Sequence, residues 1–116
     1  GNFYRHGAKP IMFVVNNSGY AIERVLEEYP DYEYNDLAQW DYHKLPAALG
    51  CKDWFTAKVT TLGELDAAMA TASEADTACY IEVVMDKHDY PKAAQAMGTR
   101  WEELYGVAER PGQPPK

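Results

Sequence analysis

The sequence predicts an α/β fold, a mainly parallel sheet with flanking helices. Two observations carry that expectation. Three short apolar runs recur along the chain, IMFVV at 11–15, WFTAKVT at 54–60 and ACYIEVVM at 78–85. After each comes a stretch whose apolar residues return at helical spacing. Strands that alternate with helices need crossover connections, which set the strands parallel and place helices on the sheet faces.

Taken in order, the opening GNFYRHGAKP reads as the last turn of a helix stopped by Gly7. With no initiating Met, an upstream part of the protein is expected before it. IMFVV is continuous rather than alternating, the pattern of a strand covered on both faces. NNSG ends that run. Ile22, Val25, Leu26 and Tyr29 then fall at i, i+3, i+4 and i+7, one face of a helix, with Glu23, Arg24, Glu27 and Glu28 off it. Residues 30–40, PDYEYNDLAQW, mix turn formers with aromatic anchors and read as an ordered loop. A short helix is expected from Asp41 as N-cap to Gly50 as terminator, strained by Pro46. Residues 54–60 form the second strand.

Thr61 and Glu64 make a T-x-x-E capping box, in which hydroxyl and carboxylate satisfy each other's backbone N–H groups at a helix start. That helix carries Leu62, Leu65, Met69 and Ala72 on one side and ends near Ala75. Residues 78–85 are the third strand. Asp89 and Pro91 open a last helix with Ala94, Met97, Trp101 and Leu104 on one face, closed by Gly106. Gly98 inside it costs about 1 kcal/mol relative to Ala. The last stretch, residues 107–116 with its terminal PGQPPK, is expected to be disordered.

The chain has 116 residues, 47% hydrophobic and 25% charged, which suits one compact domain. Its formal net charge of -7 and scattered Lys and Arg argue against nucleic-acid or anionic-membrane partners. No run is long and apolar enough for a membrane span, and a cytoplasmic location is expected. Cys51 and Cys79 sit in apolar surroundings and read as small buried hydrophobes. His6, His43 and His88 show no metal-ligand spacing.

The NNSG turn is where chemistry is expected. In a parallel α/β sheet, ligands bind beyond the carboxyl ends of the strands. An Asn oxygen and a carbonyl two residues on supply two neighbouring oxygen ligands for Mg²⁺, a hard cation usually shared with phosphates. Gly19 suits such a turn by admitting positive φ and close approach. The following helix directs its positive end toward any phosphate held there. Glu23, about one turn in, can reach back over the strand end, where desolvation would fit it for proton transfer. N-S-G is also a common turn, and a turn needs no ligand.

The string NNSGYAIE, preceded by PIMFVV and followed by YNDLAQWDYHKLPAALG, resembles the thiamine-diphosphate-dependent 2-oxo acid decarboxylases, the family of pyruvate, indolepyruvate and phenylpyruvate decarboxylases. The likeness runs from the first residues to about Gly106. It implies that Asn17 and Gly19 are Mg²⁺ ligands, that Asn17, Gly19, Tyr20 and Ile22 contact thiamine diphosphate or the pocket beside it, and that Glu23 is the active-site acid. It also implies a 2-oxo acid as substrate, an aldehyde and CO₂ as products, and a homo-oligomer or further upstream domains to complete the site. The family carries a Gly-Asp-Gly segment whose Asp is another metal ligand, and a separate pyrimidine-binding domain with an activating glutamate and two histidines. Neither occurs in this chain. Residues 1–106 therefore resemble the C-terminal portion of a thiamine-diphosphate-binding domain, a partial version of that fold, and the isolated chain is not expected to turn over. A stand-alone α/β binding or interaction module is a second reading. A piece of another thiamine-diphosphate enzyme, such as a synthase, is a third, which G-Y-x-I-E disfavours.

Overall fold

The computed structural model describes residues 2–27 and 29–105. Its elements are α1 (Asn2–Arg5), β1 (Ile11–Asn16), α2 (Ala21–Leu26), 3-10 turns at Glu33–Asn35 and Tyr42–Lys44, α3 (Leu45–Ala48), β2 (Phe55–Val59), α4 (Leu62–Glu74), β3 (Cys79–Val84) and α5 (Lys92–Tyr105). Two compact units are present, one from residues 2–18 and 38–86, the other from residues 19–37 and 87–105. Among the described residues no helix is long and apolar enough to cross a membrane.

In the first unit the three strands form one sheet in the order β1-β3-β2, with both pairings parallel, as the alternation of strands and helices predicts. The register sets Ile81 opposite Phe13 and Ala57, and Glu82 opposite Val14 and Lys58. Successive side chains alternate faces. Cys79 and Ile81 therefore share the face on which α4 packs, where they build the core with Val59, Ala68 and Ala72. Glu82 lies on the other face, toward the 3-10 turn at Tyr42–Lys44.

Three local expectations are corrected here. β1 is not covered on both faces: Ile11, Phe13 and Val15 are exposed, because α4 packs chiefly on β2 and β3 rather than on this edge strand. The stripe on α4 is rotated. Leu62 is 81% exposed and Met69 is exposed too, whereas Ala68 and Ala72 are buried, with Leu65 and Ala75 packed beside them. Small side chains let the helix lie close to the sheet, and that outweighs the greater hydrophobicity of Leu and Met. The expected strain at Pro46 is absent, because Pro46 falls in the first turn of α3, where its missing N–H is no loss. The Asp41 side chain makes no cap hydrogen bond, although Asp41 does occupy the N-cap position of the 3-10 turn.

The capping box forms as read. The Glu64 N–H donates to Thr61 Oγ1 at 3.2 Å, and Glu64 Oε2 accepts the Thr61 N–H at 3.1 Å. Glu64 also takes the N–H and hydroxyl of Thr60, at 2.7 and 2.8 Å. Gly7 and Gly50 both hold positive φ, as helix terminators do.

In the second unit α2 is shorter than its apolar periodicity predicts. It ends at Leu26, and Glu27 is already extended. Pro30 bars its predecessor Tyr29 from the helical region, so the repeat that reached Tyr29 overran the helix. α2 packs on α5 at Gly98, which is buried and where a Cβ would overlap the Val25 carbonyl oxygen. The helix-propensity cost of Gly98 is thus offset by backbone contact. Gly106 and the expected disordered tail at 107–116 lie outside the described residues.

Candidate functional site

β1 delivers its last residue, Asn16, into a closed polar environment. The Asn16 carbonyl accepts the Met85 N–H at 3.0 Å, and its Nδ2 donates to Glu82 Oε1 at 2.7 Å. Only a donor suits a carboxylate, which fixes the amide's orientation and leaves Oδ1 toward the turn. Oδ1 accepts the Ser18 N–H at 3.4 Å, across Asn17. Ser18 carries the positive φ of the turn, 63°, a role the sequence assigned to Gly19. Asn17, between them, is half-buried, and its amide forms no hydrogen bond with the described residues.

Glu82 was not singled out from the sequence, yet it organises this end of the first unit. It is 0% exposed. Oε2 accepts the His43 N–H at 3.1 Å and meets His43 Nδ1 at 2.6 Å, while Lys58 Nζ lies 3.6 Å from Oε1. Burial alone would raise this carboxyl, but the hydrogen bonds from Asn16 and His43, helped by Lys58, outweigh it and hold the group at about 2. An ionised Glu82 has no proton to give, so His43 Nδ1 is the donor of their bond. A lone acid inside ACYIEVVM was the available signal, since a buried charge demands partners.

The rest of the motif falls in the second unit. Gly19 is needed for space rather than for φ, because a Cβ there would overlap the Asn35 carbonyl oxygen and the Arg24 guanidinium. No hydrogen bond reaches the Gly19 carbonyl among the described residues. Arg24, expected on the outer face of α2, is instead 1% exposed. Its Nη1 donates to the Pro30 carbonyl at 2.8 Å, and its Nη2 donates to the Asn35 carbonyl at 3.1 Å and to Asp36. The Tyr20 N–H also donates to the Asn35 carbonyl, at 2.9 Å. The loop after α2 is therefore folded back over it, which periodicity cannot register. Tyr20, Ile22 and Glu23 are exposed, so the desolvation expected around Glu23 is not supplied by the described residues. With six residues, α2 also brings less dipole to the turn than the longer helix predicted.

The donor set suits a metal held jointly with a phosphate-bearing cofactor. Among the described residues no three His, Cys, Asp or Glu side chains gather to hold an ion unaided. What the motif offers is neutral oxygen, the Asn17 amide and the Gly19 carbonyl, neither of which accepts a hydrogen bond from the described residues. Neutral ligands leave the charge of Mg²⁺ to be matched by phosphates, its usual partners.

Comparison with known proteins gives the family. The family model described as thiamine pyrophosphate enzyme, C-terminal TPP binding domain, matches residues 1–83. An Alpha-keto-acid decarboxylase of Mycobacterium leprae (strain TN) is 40% identical over 98 residues, covering 84% of this chain and 17% of the relative. Proteins of the same name from Mycobacterium avium (strain 104) and Mycobacterium tuberculosis (strain ATCC 25618 / H37Rv) are 39% and 37% identical over 95 residues, covering 79% of the chain and 16% of each relative. The chain spans about a sixth of the length of the curated relatives it matches.

Proposed function

Because this chain belongs to the thiamine pyrophosphate enzymes through their C-terminal TPP-binding domain, we propose that it supplies the metal-binding turn of a non-oxidative 2-oxo acid decarboxylase. Residues 1–106 are the C-terminal portion of the cofactor-binding domain in this reading. Asn17 Oδ1 and the Gly19 carbonyl are two ligands of the Mg²⁺ that carries the cofactor diphosphate. Tyr20 and Ile22 border the cofactor and the substrate side chain, and Glu23 handles a proton at the reacting carbon. When bound, thiamine diphosphate supplies the electron sink for cleaving the bond between a 2-oxo carbon and its carboxylate.

The observation that carries the reading is Asn17, whose half-buried amide has no hydrogen-bond partner among the described residues although its neighbours Asn16 and Ser18 are both tied down. That amide is not sealed from solvent, so its oxygen is hydrated and open to a ligand. Ligation of a cation by Oδ1 would take the place of that water. The decarboxylase class follows the relatives that bear that name and the G-Y-x-I-E continuation of the turn, which carries an acid four residues after the glycine. Completion of the site by a second subunit or a further domain, and a cytoplasmic setting, belong to the same proposal.

Calorimetric titration of the chain with thiamine diphosphate tests it. Binding is expected only with Mg²⁺ present, and Asn17→Ala should weaken it about tenfold, the effect of losing one good ligand contact. Binding that is indifferent to Mg²⁺ or to Asn17→Ala would refute the ligand assignment.

A further inference from the structure

The buried cluster around Glu82 has no role in the proposal above, and its geometry gives it one. Glu82 sits in the middle of the central strand, where its register partners are Val14 and Lys58. Asn16 lies two residues beyond Val14 on the same face, the diagonal neighbour a long side chain can reach. A buried carboxylate at such a place is expensive, and a wholly apolar set in place of Glu82 and its polar partners would serve the sheet as well or better. Its hydrogen bonds show what the carboxylate does instead. One oxygen is anchored by His43, through backbone N–H and ring, and the other grips Asn16 Nδ2. With its nitrogen held, Asn16 turns its oxygen to the Ser18 N–H, and Ser18 stands at φ 63°, a conformation serine adopts only with support.

We propose that Glu82 is a positioning residue for the metal-binding turn: by holding the Asn16 amide, and itself held by His43, it fixes the left-handed Ser18 and so presents Asn17 to the cation already ordered. The second half of this statement rests on Asn17 being a Mg²⁺ ligand, and the first half does not. Outer partners of metal ligands act in this way, through orientation rather than contact, and their removal costs affinity by about tenfold to a hundredfold.

Two readouts on the chain, in wild type, Glu82→Met, Glu82→Gln and Ile81→Val, test the proposal. The first is the φ of Ser18 from NMR scalar couplings, with no ligand present. Glu82→Met, similar in shape but without an acceptor, is expected to lose the left-handed conformation. Glu82→Gln, which keeps one oxygen for Asn16, is expected to retain most of it. Ile81→Val weakens the same strand on its other face and should leave Ser18 unchanged, which separates positioning from general destabilisation. The second is Mg²⁺-dependent thiamine diphosphate affinity, expected to fall about tenfold or more in Glu82→Met and to recover in Glu82→Gln. If Glu82→Met does not fold, Asn16→Asp replaces it, because it keeps the oxygen that Ser18 needs but sets a carboxylate against Glu82. A left-handed Ser18 in Glu82→Met or Asn16→Asp, or an affinity that ignores those two, overturns the proposal. A wild-type chain that binds no Mg²⁺ and cofactor refutes the function proposed above and leaves the Ser18 couplings to judge Glu82 alone.

Discussion

Acid should weaken the first unit, and through Glu82 most of all. Its carboxyl is held at about 2 in the folded chain against an ordinary 4.5. A group depressed in this way binds its proton more readily when unfolded, so its stabilisation is complete above pH 4.5 and is lost as the pH falls toward about 2. The drop of about 2.5 pH units, at about 1.36 kcal/mol each, corresponds to about 3 kcal/mol. That is a large part of the 5–15 kcal/mol typical of a domain, roughly speaking. Glu82→Gln is the comparison, an amide of the same shape with nothing to titrate. Asp41, Glu64 and Asp76 in the same unit also sit low, held by Lys44, Thr60 and Lys9, but they are common to both proteins and cancel. Urea unfolding followed through the methyl signals of Val59 and Ile81 should show wild type ahead of Glu82→Gln at pH 6 by roughly 3 kcal/mol, with the gap closing by about pH 2. A gap that stays constant across this range would mean that Glu82 does not titrate as its hydrogen bonds require.

Other consequences are local. Gly98→Ala gains about 1 kcal/mol of helix propensity but drives a methyl into the Val25 carbonyl, so a net loss of about 1–2 kcal/mol is expected in urea unfolding of the second unit. Gly63→Ala, with open space around its Cβ, should instead be neutral or gain about 0.5 kcal/mol; loss in both would rule out the steric account of Gly98. Arg24→Met strips the Pro30 and Asn35 carbonyls and Asp36 of their donor, and because Asp36 is partly exposed and can rehydrate, a loss of about 2–3 kcal/mol is expected. A loss within about 0.5 kcal/mol would give Arg24 the weight of an ordinary surface residue. Thr61→Ala removes the capping box and should lower the stability of α4 by about 1 kcal/mol, read from amide exchange at Glu64 and Leu65.

The three strands and the capping box could be read from the sequence because each rests on local signals, a β-branched run or a T-x-x-E spacing. The parallel sheet followed from their alternation with helices. What escaped depended on contacts far apart in the chain. Glu82 and His43 are 39 residues apart, and Glu82 and Asn16 are 66 apart, so no window contains either pair. Arg24 was placed on the outer face because periodicity scores a guanidinium as polar and has no way to see a loop folding back over it. The rotation of the α4 stripe has a similar origin, since hydrophobicity scales favour Leu62 and Met69 while close approach to a sheet favours Ala68 and Ala72. The turn itself was found, but with its conformational work assigned to the wrong residue: Ser18 takes the positive φ, and Gly19 makes room.

Mn²⁺ in place of Mg²⁺ gives the most direct test of the central claim, that the turn at the end of β1 holds a metal for thiamine diphosphate. Its unpaired electrons broaden the NMR signals of nearby nuclei, so a titration with Mn²⁺ and the cofactor marks the binding residues one by one. Broadening should be strongest at Asn17 and Gly19 and should require the cofactor. Broadening that centres on surface carboxylates such as Asp31 or Asp53, or that is the same without thiamine diphosphate, would contradict the claim.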